Sequence, residues 1–282
     1  MPSAFVNICR TAVFWSRLAI KENLKNPFKK LTQVQSSPIY VLANGPSLKM
    51  SITELCSIQE GEFMVVNDFA NDDSFIRIKP KYYVLSDPLF FEDTIYTERG
   101  KKVINSIKEK ANWTIMLFVP YCRKKSSYLS QLFENKNISI QWFHQVGYLG
   151  IERWRNYVYK MGLGNGEFMT VALNAMYIAL MLGYKKCFFY GIDHNFFENI
   201  AVSHDNTLCF IDKHFYSETD QLKPMICHFP DKGVHNYSME EFLQEKYIIF
   251  KGHNIMRRFA DYMGATIVNC TPNSLVDSYL RE

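Results

Sequence analysis

No two cysteines in this 282-residue chain stand in the CxxC spacing of a zinc site or a redox dithiol. Cys9, Cys56, Cys122, Cys187, Cys209, Cys227 and Cys270 are scattered and odd in number. That usage implies reduced thiols and a cytoplasmic protein. The seven histidines show neither an HxH nor an HxxxH spacing, so no resident metal is expected. A Gly-x-x-x-x-Gly-Lys phosphate loop is missing, which argues against a kinase of that type. So is a Gly-x-Ser-x-Gly elbow, which removes the hydrolases built on it. No secretory signal and no apolar run near twenty residues occurs, so no membrane span is expected. Positive charge is not concentrated in a long stripe and the net charge is only +4, so nucleic acid is not an expected partner.

What is present fits a packed α/β protein. Hydrophobic residues make up 48% of the chain and charged residues 21%, enough for a large core and too apolar for wholesale disorder. Aromatics reach 15%, and the tyrosines among them offer hydroxyls to sugars and phosphates. Short apolar, partly β-branched runs over 39–43, 62–68, 81–88, 113–120, 185–196 and 265–274 read as strands. Helical segments lie between several of them, clearest over 169–182, with Gly183 as the stop. Alternation of this kind predicts a Rossmann-like, largely parallel sheet with helices on both faces.

Nearly every predicted strand ends in small or polar residues: Asn44, Asn67, Ser86-Asp87, Asp193 and Asn269. In open parallel sheets ligands bind at the carboxyl ends of the strands, so these residues define one polar rim. The sharpest turn is "ANGPSLK", where Asn44-Gly45 closes the first strand and Ser47 is placed to cap the next helix. The stretch 162–167, "GLGNGE", has no strand before it and fails the context of a dinucleotide fingerprint.

Two segments stand apart. Residues 1–36 form a basic arm, with Arg10, Arg17, Lys21, Lys25, Lys29 and Lys30 against Glu22 as the single acid of the first thirty residues. Val13, Phe14, Leu18 and Ile20 interleave with these charges at helical spacing. Such a helix either lies on an anionic membrane surface or docks on the protein's own body. Residues 37–282 form the main domain, and within it 197–237 reads as a long irregular lid carrying His204, His214, His228 and His235. Ser238 and Glu241 stand in capping-box positions for a helix after it.

The islands "ANGPSLK", "VVND", "SDPLFFE", "ALMLGYKKCFFYGID" and "CTPNSL" occur in this order. They resemble bacterial lipooligosaccharide sialyltransferases and the wider MptE-like group of glycosyltransferases, to which "GIDHNF" and "KHFY" are closer. The resemblance covers roughly 39–277. It implies a single Rossmann-like domain and metal-independent, cofactor-free transfer from a CMP-activated nonulosonate such as sialic acid. The acceptor would be a glycan or glycolipid at the inner face of the plasma membrane. By match, Asn44, Gly45 and Ser47 would lie at the phosphate and sugar, and Asn67 at the nucleotide. Ser86 or Asp87 stands where the family uses Asn. "FMTVAL", with Thr170, replaces an Arg-containing run on the donor side. Asp193, Tyr216 and Tyr237 are further donor-side candidates. The base would be His235, just before the last long helix, with His253 and His214 behind it. The rival readings are a Mg-dependent, ATP-using diphosphotransferase of the same superfamily and a non-catalytic nucleotide-binding module.

Overall fold

Eight strands in parallel register organise the molecule, seen in a computed structural model that describes residues 4–94, 96–165, 169–198, 200–212, 221–227 and 233–281. In chain order the first half runs α1 (Ala4–Lys21), β1 (Ile39–Leu42), α2 (Leu48–Leu55), β2 (Glu62–Val66), α3 (Ser74–Ile78), β3 (Tyr82–Val84), α4 (Thr97–Lys110), β4 (Ile115–Pro120) and β5 (Ile138–Phe143). The second half runs α5 (Arg155–Lys160), α6 (Val171–Met181), β6 (Lys186–Tyr190), β7 (Ile200–Val202), β8 (Leu208–Asp212), β9 (Gln221–Pro224), β10 (Ile226–Cys227), β11 (His235–Asn236), α7 (Met239–Tyr262), β12 (Thr266–Asn269) and β13 (Leu280–Arg281). The sheet order is β13-β12-β6-β1-β2-β3-β4-β5, and every pairing within it is parallel.

The strands are apolar on both sides because both sides are covered. Val41, Met64, Val66, Val84 and Phe189 point into one core, shared with α6 and α7. Leu42, Val65, Tyr83, Leu117 and Val119 point into the other, under α3 and α4. Successive residues alternate between the two layers, as the two-residue strand period requires. Helix α6 is buried from Ala172 to Met181, which explains why it is apolar all round instead of amphipathic.

Chain direction across the sheet reverses at β1. From β1 the sheet grows through β2, β3, β4 and β5 on one side, and β6, β12 and β13 lie on the other. The β1/β6 boundary is therefore the switch point, where connections leave in opposite directions and open a crevice.

Two features differ from the sequence reading, and a third, the docking of α1, is one of the two alternatives it left open. Strand β5 was not anticipated, because its central residues are half-buried and include Gln141. The segment 197–237 is not irregular throughout: β7, β8 and β9 form an antiparallel sheet, and β10 pairs with β11. Helix α1 docks on the body through Thr11, Phe14 and Leu18. The Phe14 ring meets Tyr148 edge-on at 5.0 Å, and the amide of Ile151 donates to Thr11 Oγ1 at 3.1 Å. Just beyond α1, Glu22 lies 3.0 Å from His144 Nδ1, both side chains about 1% exposed. No described helix is long and apolar enough to cross a membrane.

Candidate functional site

Two chain segments pass each other at the switch point with almost no clearance. Beyond the last residues of β1, the amide of Ala43 donates to Tyr190 O and that of Gly45 to Gly191 O, each at 2.9 Å. A Cβ on Gly45 would sit 1.9 Å from Asp193 Oδ2 and 2.4 Å from Gly191 O. The requirement at Gly45 is for space, whereas Gly191 also has a left-handed φ of +70°. This closeness lets Asp193 reach the start of α2. The Ser47 hydroxyl donates to Asp193 Oδ2 at 2.8 Å and the Ser47 amide to Oδ1 at 3.1 Å. Ser47 was expected to cap its own helix. Instead its φ and ψ are already helical and its hydroxyl serves Asp193, so the anion at this helix start comes from the protein itself.

On the β2 side, Asn67 adopts φ +45°, an uncommon conformation outside glycine. Neighbours pin it there. Its Nδ2 donates to Asp87 Oδ2 at 2.5 Å, and the Tyr83 hydroxyl donates to its carbonyl. Its own Oδ1 is buried with no hydrogen-bond partner. Backbone strain and an orphaned buried acceptor on one residue mark a place organised for something other than stability. Asn44 spans the gap between β1 and β2 by donating to Val66 O at 3.0 Å. Asp68 accepts a two-pronged contact from Arg99 at the start of α4, Nε to Oδ1 at 2.9 Å and Nη2 to Oδ2 at 2.5 Å. Burial pushes the Asp87 carboxyl up, against the opposing pull of Asn67 and Arg99.

The third wall is the start of α6. Thr170 is extended and its side chain accepts from the amide of Ala172 at 3.3 Å, a true cap. Thr170, Val171 and Ala172 face the same opening as Asn44, Asn67, Arg99 and Asp193. The result is a cleft of about 340 Å³, continued by a second pocket of about 240 Å³ between α2 and the turn after β2, with Asn44, Gly45, Pro46 and Asp68 on both. The last wall is His194, at φ +49°, with its ring 4.9 Å from Phe196 and 5.0 Å from His253. Its Nε2 is buried without a partner. Burial, reinforced by nearby Lys246, pushes this imidazole down to about 4, so it is neutral at physiological pH.

No family model matches the chain, and no curated protein matches it either. Solved structures do. The sialyltransferase CstII from Campylobacter jejuni with cytidine-5'-monophosphate aligns at a TM-score of 0.40 and 16% identity, over 86% of this chain and 84% of that one. The same enzyme with CMP-3FNeuAc aligns at 0.43 and 14% identity, over 87% and 84%. A variant of it with CMP aligns at 0.41 and 13% identity, over 87% and 85%. Likeness of that order assigns no residue a role.

The cleft gathers Asn44, Gly45, Asn67, Thr170 and Asp193 from the predicted set. Ser47 and Asp87 stand one hydrogen bond behind it, through Asp193 and Asn67. Ser86 is turned inward, where its hydroxyl accepts from Asn174 Nδ2 at 3.3 Å. His253 does not reach the cleft, contrary to its candidacy as a base. It lies on the inner face of α7, fully buried, with Nδ1 2.9 Å from the Tyr279 hydroxyl. Burial, then His194, holds it well below the usual imidazole range. His235 and Tyr237 lie off the cleft, beside the start of α7: His235 Nε2 is 3.0 Å from Glu241, and Tyr237 donates to Glu245. His214 and Tyr216 fall outside the described residues. The site residues not anticipated are His194, Asp68 and Arg99. His194 directly follows a strand end, a signal available in "GIDHNF"; Arg99 comes from a helix with no motif around it.

Proposed function

We propose that the cleft binds a nucleotide-activated sugar, a CMP-linked nonulosonate, and transfers the sugar to a hydroxyl of a bacterial surface glycan or glycolipid. The observation that carries the reading is Asn67. A strained residue with a buried, unpartnered Oδ1 on a switch-point cleft calls for a ligand donor, and a cytidine amino or ribose hydroxyl supplies one. The anionic group of the donor is assigned to the α6 start, with Thr170 and the first amides, because Asp193 already fills the α2 start.

In the transfer, the acceptor oxygen forms a bond to the anomeric carbon as the carbon–oxygen bond to the phosphate breaks. CMP departs with that electron pair, and the hydroxyl proton passes to an imidazole nitrogen. The base is assigned to His235, where the sequence resemblance puts it. Glu241 orients its ring, and the transfer requires His235 to approach the cleft once the donor is bound. The start of α2, Asn44 and Gly45 bound the donor on the other side. No metal ion enters this scheme.

A thermal-shift panel of CMP, CDP, UDP, GDP and ATP, each with and without Mg²⁺, tests the ligand. Stabilisation by CMP irrespective of Mg²⁺ supports the reading, and a response to ATP only with Mg²⁺ replaces it with a diphosphotransferase. For the base, His235→Ala should lower turnover by roughly 10²–10⁴-fold with CMP affinity retained. Loss in His194→Asn instead, with His235→Ala active, moves the base to the cleft wall. CMP binding without turnover of any CMP-sugar leaves a binding module.

A further inference from the structure

Helix α1 is apolar on two opposite sides. Its inner side, through Thr11, Phe14 and Leu18, is consumed by docking. The side facing away should then be charged, as on any helix that rests on a protein and faces water. It is not. At 100° per residue, the stripe opposite Phe14 and Leu18 collects Phe5, Cys9, Ala12, Ser16 and Ile20, flanked by Ile8 and Trp15. All of these are exposed, Phe5 by 74% and Ile20 by 82%. Arg10 and Arg17 sit on one edge of this stripe, seven residues apart, and line a groove of about 470 Å³ with Phe5, Val13 and Leu149.

The charge around the stripe has one sign. Arg10, Arg17, Lys25, Lys29 and Lys30 are exposed, while Glu22, the single acid among the first thirty residues, is buried against His144. Among the described side chains of the arm, the exposed charge is therefore cationic. We propose that this face of α1 lies in the surface of an anionic phospholipid bilayer, with the apolar stripe in the acyl boundary and the arginine edge among the headgroup phosphates. The helix stays docked while it does so, since the lipid-facing stripe and the docking stripe are different residues. A second copy of the chain is a poorer occupant, because antiparallel stripe-on-stripe pairing would bring the two cationic edges together, and the first thirty residues hold no exposed acid to offset them in either pairing. The inference is independent of the reaction assigned to the cleft and needs no activity to test.

Flotation of the full chain with phosphatidylcholine vesicles, with and without phosphatidylglycerol, is the experiment. Binding is expected only when phosphatidylglycerol is present, and it should fall as salt rises. Phe5→Glu with Ile20→Glu should weaken it by roughly tenfold or more per side chain, with the melting temperature unchanged, because both side chains already lie in solvent. Arg10→Glu with Arg17→Glu should abolish the dependence on phosphatidylglycerol. Absence of binding to either vesicle overturns the proposal, as does equal binding by the Phe5/Ile20 variant. A dimer in solution that the same variant dissolves overturns it in favour of a second copy.

Discussion

Lowering the pH from 7 to 5 should destabilise this protein through two imidazoles that the fold keeps neutral. His194 is pushed down to about 4 and His253 is held well below the ordinary value of 6.5, both by burial first. The unfolded chain takes up these protons near 6.5 and the folded chain does not. Between about pH 6.5 and 4 the unfolded state thus binds more protons, so stability rises with pH through that window and levels off above it. For His194 the linkage integral from pH 7 to pH 5 is about 2 kcal/mol, and His253 contributes with the same sign. Asp87, pushed up by burial, works in the opposite direction at the acid end, where the folded state holds its proton longer. The assay is urea unfolding at pH 7, 6 and 5, for the wild type and for His194→Asn. Asparagine suits the left-handed backbone at this position, so the variant should fold. The variant should lose about 2 kcal/mol less than the wild type across the range. Equal pH slopes for the two proteins would refute the assignment of His194 as a buried neutral group.

Gly45→Ala places a methyl 1.9 Å from Asp193 Oδ2 and 2.4 Å from a backbone carbonyl, so the two segments must part. A loss of about 3 kcal/mol in denaturant unfolding is expected, and an unchanged midpoint would show that the crossing is loose. Glu22→Ala strips His144 Nδ1 of its partner inside a sealed pocket, at a cost of about 1–3 kcal/mol read from the melting temperature. A wild-type melting temperature in this variant would mean that α1 docks without that anchor.

Most of the sheet was legible in the sequence for one reason: strands buried on both faces are short continuous apolar runs, and β1, β2, β4 and β6 are such runs. Strand β5 breaks the pattern because it lies at the sheet edge, with only its first and last residues buried. The strands β7 to β9 escaped because three to five residues carry too little periodicity to register. That Asn44, Asn67 and Asp193 share one rim was legible because parallel strands bring all their carboxyl ends to the same side. What each does there was not. That Asp193 reaches the start of α2 depends on a close crossing of segments 146 residues apart, which no local pattern encodes. His253 stood behind His235 as a candidate base, but its phase on α7 turns it inward. The His235 environment was half legible: the capping box at Ser238 and Glu241 forms as read, and the same Glu241 also holds the His235 ring.

The Asp193 contact to Ser47 also has a consequence in time. Strand β1 leaves the ribosome before the rest of the sheet, yet its neighbour β6 and the carboxylate that holds the start of α2 arrive about 140–150 residues later. Loops of that length close slowly, and sheets with distant partners are slow to form. Until they close, β1 offers an unpaired edge, and Asn44 and Gly45 have no opposite wall. The rim of the cleft is therefore among the last parts of the molecule to be built. A nascent chain released before residue 186 would hold β1 to β5 with an open edge at β1, exposed to pairing with other chains while it waits.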